Sequence, residues 1–150
     1  MSLDNLVKIG QIKIHTPNAG EIERLLAAVR RNLQDASVAG LSDETRFDAG
    51  YKAIMQCALA ALAACGYRPA SNVPGHHQTM IASLSLTIGL AKDETIVLDA
   101  LRKKRNLNDY SGDLIDPESV RECISRAQSL LVTTENWLKA HKPELFINRG

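Results

Sequence analysis

The residues best suited to chemistry lie in one stretch, LRKKRNLNDY at 101–110: Arg102, Lys103, Lys104 and Arg105, then Asn106, Asp109 and Tyr110. A guanidinium fork matches a phosphate, and a nearby amide or phenol adds a donor or a face for stacking on a base. Helical geometry divides the four cations. With Leu98 at zero and about 100° per residue, Arg105 falls at roughly 340° and Leu101 at roughly 300°, inside the apolar stripe. Arg102 lies on its edge, Lys103 points almost oppositely and Lys104 lies to the other side. Two arginines are therefore aimed at the packed or partner-facing side, and Lys103 reads as solvated. Arg105 also has a bland role open to it: a helix C-terminus favours cations, and its guanidinium can reach Asp109 one turn on, or Asp48. The residues alone leave ion pairing and anion binding both open.

Other reactive side chains carry weaker signals. His76 and His77 are adjacent, so on a helix they diverge by about 100° and cannot face one metal together. They read as polar residues at a helix start after Pro74-Gly75, and one of them could border a pocket. Asp43, Glu44 and Asp48 sit in the first turns of a helix, where acids suit the positive end. There is no G-x-S-x-G elbow, no G-x-G-x-x-G or G-x-x-x-x-G-K loop and no H-E-x-x-H pair, so no metal and no cofactor is expected. Cys57, Cys65 and Cys123 lack C-x-x-C spacing and fall in or beside apolar helical patterns, as buried thiols rather than a disulfide set.

The balance of 18 Lys and Arg against 17 Asp and Glu, a net charge of +1, gives no global field for nucleic acid or an acidic membrane. Any electrostatic function must be local. The N-terminus lacks a signal-peptide pattern, and the longest apolar run, CALAALAAC, is too short for a membrane span. The expectation is a soluble cytoplasmic protein with no membrane association.

The elements that must position these residues are helical. A segment of 150 residues suffices for one domain. In residues 1–15, Val7, Ile9, Ile12 and Ile14 alternate imperfectly around Gly10, as a short strand or an arm laid over a neighbour; with no strand elsewhere to pair, an arm is expected rather than a sheet. Thr16-Pro17 reads as a helix entry, with Ile22, Leu25, Leu26, Val29 and Leu33 on one face to about Ala36. Ser42 caps a second helix bearing Phe47, Tyr51, Ile54, Met55, Ala58, Leu59 and Leu62; its other faces are nearly all alanine, which marks it as central. GYRPASNVPGHH reads as a loop, followed by a helix from about His76 to Ile88 with Ser83 and Ser85 on its surface. Asp93 caps the helix that delivers the basic stretch, and NDYSGDLIDP is a turn-rich connection. Asp116-Pro117 starts the last helix, which ends near Ala140. These readings give an all-α, up-and-down bundle of about five helices at 16–142, with the arm at 1–15 and a tail at 143–150.

The order of helices, with RFDAGYKAIMQCALAALAACGYRP, then GHH, then LRKKRNLNDY before a long helix containing Trp137, resembles HEPN domains, small prokaryotic helical proteins often found with nucleotidyltransferases or other toxin–antitoxin partners. The resemblance runs from about Glu21 to Leu138. Its most specific part is Arg105, Asn106, Asp109 and Tyr110, similar to an R-x-x-x-D-Y variant in that superfamily; the Tyr51 region resembles the helix there that bears small residues and an aromatic. The resemblance implies a homodimer with the arginine segments near a shared cleft. In ribonuclease members an arginine is followed, after four to six intervening residues, by a histidine that takes part in proton transfer.

Here Tyr110 stands five residues after Arg105, and no histidine lies in that window. A phenol with a pKa of about 10 is a poor proton acceptor at neutral pH, whereas imidazole works in both directions. The expectation is therefore a module that binds RNA, a nucleotide or a partner protein through Arg102, Arg105, Asn106, Asp109 and Tyr110, with His76, His77 and Tyr51 as secondary candidates. The alternatives are a metal-independent endoribonuclease, with Tyr110 or a loop histidine as Arg105's partner, and an interaction protein in which Arg105 and Asp109 only brace a helix end.

Overall fold

The computed structural model describes residues 1–147; the last part of the expected tail, residues 148–150, lies outside the described residues. Five long helices make the bundle: α2 (Ala19–Ala36), α3 (Asp43–Ala64), α4 (His76–Thr87), α5 (Lys92–Ser111) and α6 (Pro117–His141). A short α1 (Leu3–Lys8) precedes them, and a two-stranded ribbon of β1 (Ile12–Ile14) and β2 (Tyr67–Pro69) ties the arm to the bundle. A single 3-10 turn, Pro143–Leu145, follows α6.

The arm therefore contains a strand that finds a partner, which corrects the expectation that nothing pairs with it. Ser2 accepts the amide of Asn5 and starts α1, and Gly10 takes a φ of 77° to turn the chain into β1. β1 then pairs antiparallel with β2, Ile12 opposite Pro69 and Ile14 opposite Tyr67. Ile12 is buried by this pairing. Its partner lies in the stretch read as a loop, because three-residue strands show no alternation and Pro69 reads as a breaker.

α3 is the central helix, as its alanine-rich faces predicted: α2, α4, α5 and α6 all pack on it. Ser42 caps it by accepting the Thr45 amide. Thirteen of its residues are buried, Phe47, Tyr51 and Ile54 among them. Gly50 allows the closest approach of α6, since a Cβ there would stand 3.1 Å from Cys123 Sγ. Around α3 the main core gathers Val29, Met80, Ile81, Leu84, Leu98, Leu101, Val120 and Leu130. Cys57 and Cys123 lie within that core, whereas Cys65 is only half-buried.

Other boundaries differ from expectation for local reasons. Asn18, not Thr16, caps α2, its side-chain oxygen accepting the Glu21 amide at 2.9 Å. α5 starts after Ala91, so Asp93 lies in the first turn instead of at the cap. It also continues through Asn108, Asp109 and Tyr110 to Ser111, where Gly112 ends it with a φ of 74°. Ser83 is buried rather than on the surface; its hydroxyl donates to the Met80 carbonyl, which removes the cost of burying it. Asp116 caps α6 as expected, accepting the Ser119 amide. Among the described residues no helix is long and apolar enough to cross a membrane.

Candidate functional site at the α3–α4–α5 seam

α5 turns one face onto α3, and residues one turn apart share that face. Leu98 and Leu101 are its buried anchors, and Arg102 and Arg105 continue the same stripe. Side-chain exposure follows the angular reading: 15% for Arg102 and 29% for Arg105, against 69% for Lys103. Lys104 turns to the α6 start, donating to Asp116 and Ser119.

Each arginine is anchored through the same atom. Arg102 Nε donates to Asp99 Oδ1 at 2.7 Å, and Arg105 Nε donates to Asp48 Oδ1 at 3.3 Å, with Asp109 Oδ2 at 3.7 Å. Among the described residues no hydrogen bond engages the terminal nitrogens of either guanidinium. The fork edge that suits a phosphate is thus uncommitted, while Nε fixes the plane. Arg105 lies over the Tyr51 ring, 5.1 Å from its centroid, a cation–π contact that fixes the orientation further.

Tyr51 links this arrangement to α4. Its hydroxyl is 3.2 Å from His77 Nδ1, and the His76 ring stands edge-on to His77 with centroids 4.6 Å apart. Burial pushes the Tyr51 phenol up to about 12, although Arg105 and Arg102 pull the other way. The phenol therefore keeps its proton. His77 is held below its usual range by burial first, then by His76, Arg105 and Arg102. If the phenol donates to Nδ1, neutral His77 carries its own proton on Nε2 and offers a donor there; if the phenol accepts, the proton is on Nδ1 and Nε2 is a base. Asp99 is held low chiefly by its hydrogen bond from Arg102, against the opposing effect of burial.

Of the sequence candidates, Arg102, Arg105, Tyr51, His76 and His77 come together, with Asp109 beside Arg105. Asn106 is half-buried on the next turn. Tyr110 is not part of the cluster: it is 88% exposed, because the helical continuation of α5 carries it to the solvent side. Asp99 escaped notice, although its place one turn before Arg102 is the spacing of a helical ion pair. A cleft of about 300 Å³ opens beside Arg105, lined also by Glu44, Thr45, Phe47, Asp48, Asn108 and Asp109. No group of three or more metal-ligating side chains is found among the described residues.

No family model matches the chain, and no curated protein or solved structure matches it.

Proposed function

We propose that the protein is an HEPN-like module that binds the phosphates of RNA or a nucleotide at the α3–α4–α5 seam, through Arg102 and Arg105 with Tyr51 and His77 behind them. The observation that carries the reading is the pair of guanidinium groups, one helical turn apart, anchored through Nε with their terminal nitrogens uncommitted. Arginine forks supply bidentate donors, and partial burial strengthens them relative to open solvent. Assembly as a homodimer, and pairing with a nucleotidyltransferase or another toxin–antitoxin partner, belong to the same proposal through the HEPN resemblance.

Titration with nucleotides and short single-stranded RNA tests the reading. Thermal stabilisation should be seen with the natural chain and with Lys103→Ala, and be lost in Arg105→Ala. If Arg105→Ala merely lowers the melting temperature and no ligand shifts the natural chain, Arg105 is a brace between α3 and α5 and the proposal fails.

Endoribonuclease action is the second reading, favoured by one observation: His77 is joined through Tyr51 to the arginine cluster. The His77 tautomer bears on the choice: an Nε2-protonated imidazole would hold an anion, and an Nδ1-protonated one would accept a proton at Nε2. Induced expression separates the two, since a ribonuclease slows growth and Arg105→Ala or His77→Gln relieves it, whereas a binding module leaves growth unchanged.

A further inference from the structure

Acid brackets the arginine on which the phosphate-binding reading depends. Asp48 on α3 and Asp109 on α5 approach Arg105 Nε from two helices at 3.3 Å and 3.7 Å, and Glu44 shares the wall of the same cleft. Glu44 is occupied, accepting the Ile115 amide. Asp48 and Asp109 are each nearly half exposed and line the cleft through which an anion reaches the guanidinium edge; Lys52, 62% exposed, offsets part of the Asp48 charge from 3.9 Å. A single negative charge arriving there meets repulsion comparable to the attraction of Arg105. Arg102, one turn away on the same face and paired with Asp99 at 2.7 Å, lies outside the lining of that cleft, so only a ligand with charges spread along a chain extends far enough to gain it as well.

We propose that Asp48 and Asp109 form an acidic latch on Arg105 that selects ligands by charge, admitting adjacent phosphates that reach both arginines and refusing single small anions. The inference rests on the phosphate-binding reading and adds a regulator to that site. Adjacent phosphates occur in a nucleoside polyphosphate and in consecutive phosphodiesters of RNA; tripolyphosphate and a short oligouridylate represent the two sources.

The decisive substitution is Asp48→Asn, which keeps an oxygen to accept from Arg105 Nε while removing the charge. Isothermal titration of the full chain with orthophosphate, tripolyphosphate and oligouridylate is expected to show tripolyphosphate or oligouridylate bound, and orthophosphate not. In Asp48→Asn the affinity for the bound ligand should rise about tenfold, the effect of removing one neighbouring unit charge, and the gain should shrink as salt is raised. Whichever polyanion gains identifies the source. If the natural chain binds in an Arg105-dependent way and Asp48→Asn binds equally or more weakly, the latch is wrong while the binding reading stands. If neither protein binds any of the three ligands, both are wrong. Circular dichroism of Arg105→Ala and of the milder Arg105→Gln keeps loss of binding distinct from loss of fold.

Discussion

The Tyr51 hydroxyl and His77 Nδ1 stand 3.2 Å apart, joining the central helix to the first turn of α4 behind the two arginines. Burial keeps the phenol protonated, and a phenol that donates to Nδ1 sets the imidazole proton on Nε2, whereas one that accepts from Nδ1–H leaves Nε2 bare. Nitrogen-15 NMR of His77 should report a single tautomer in the natural chain, and which one it is identifies the donor. In Tyr51→Phe the constraint is lost, and a mixture of tautomers is expected; an unchanged tautomer would show that the phenol does not set it.

His77 also makes stability depend on pH. Its folded pKa lies below the usual 6.5, so the unfolded chain takes up the proton first. Stability from this group is fully present above about 6.5 and is lost as pH falls through the lower folded value. Urea unfolding should show the natural chain losing stability on acidification through this window. His77→Gln, which cannot charge, should flatten that part of the profile.

Tyr51 gives the opposite sign at the alkaline end. Its folded pKa of about 12 exceeds the ordinary 10.0, so its contribution is intact below pH 10 and disappears as pH rises towards 12. Ultraviolet titration should contain one tyrosine that ionises near pH 12 and that Tyr51→Phe removes. At neutral pH the same substitution should cost about 1 kcal/mol, the worth of one hydrogen bond in a site whose packing is otherwise unchanged.

The close approach of α3 and α6 depends on Gly50. A methyl there would lie 3.1 Å from Cys123 Sγ, and that sulfur is held in place by donating to the Phe47 carbonyl. Alanine favours a helix over glycine by up to about 1 kcal/mol, but overpacking a core costs about 1–3 kcal/mol. Gly50→Ala should therefore destabilise on balance. In a Cys123→Ala background the sulfur is gone, and the same change should become neutral or stabilising; denaturant midpoints of the four proteins measure the coupling.

What the sequence made legible follows from the range of the interactions. Apolar period and caps such as Ser42 and Asp116 act within a few residues, and they placed the five long helices and the central role of α3. The angular spread of Arg102, Lys103 and Arg105 was legible for the same reason, and so was Asp48 or Asp109 as a partner for Arg105. The β1–β2 pairing joins Ile12 to Pro69 across the whole of α2 and α3, beyond anything a local pattern carries. Tyr51 with His77 is likewise a meeting of two helices, and neither residue type announces the other. The end of α5 was misplaced by a smaller error: turn-forming residues from Asn108 onward suggested a loop, while the helix runs on through Tyr110 to Ser111, with Gly112 as its cap.

That last difference separates two versions of the site. If the end of the basic stretch carried function through its tyrosine, Tyr110→Ala would impair ligand binding. Its side chain is 88% exposed, so Tyr110→Ala should alter stability by less than about 0.5 kcal/mol, as for a surface position without special contacts. Thermal stabilisation by RNA or nucleotide should be kept as well. Arg105→Ala removes the ion pairs to Asp48 and Asp109 and the contact with Tyr51. It leaves Asp109 without its cation and Asp48 with Lys52 alone, and should cost about 1 kcal/mol, together with the ligand response. Equal loss of ligand response in both variants would return Tyr110 to the site and show that the binding surface extends along the exposed face of α5.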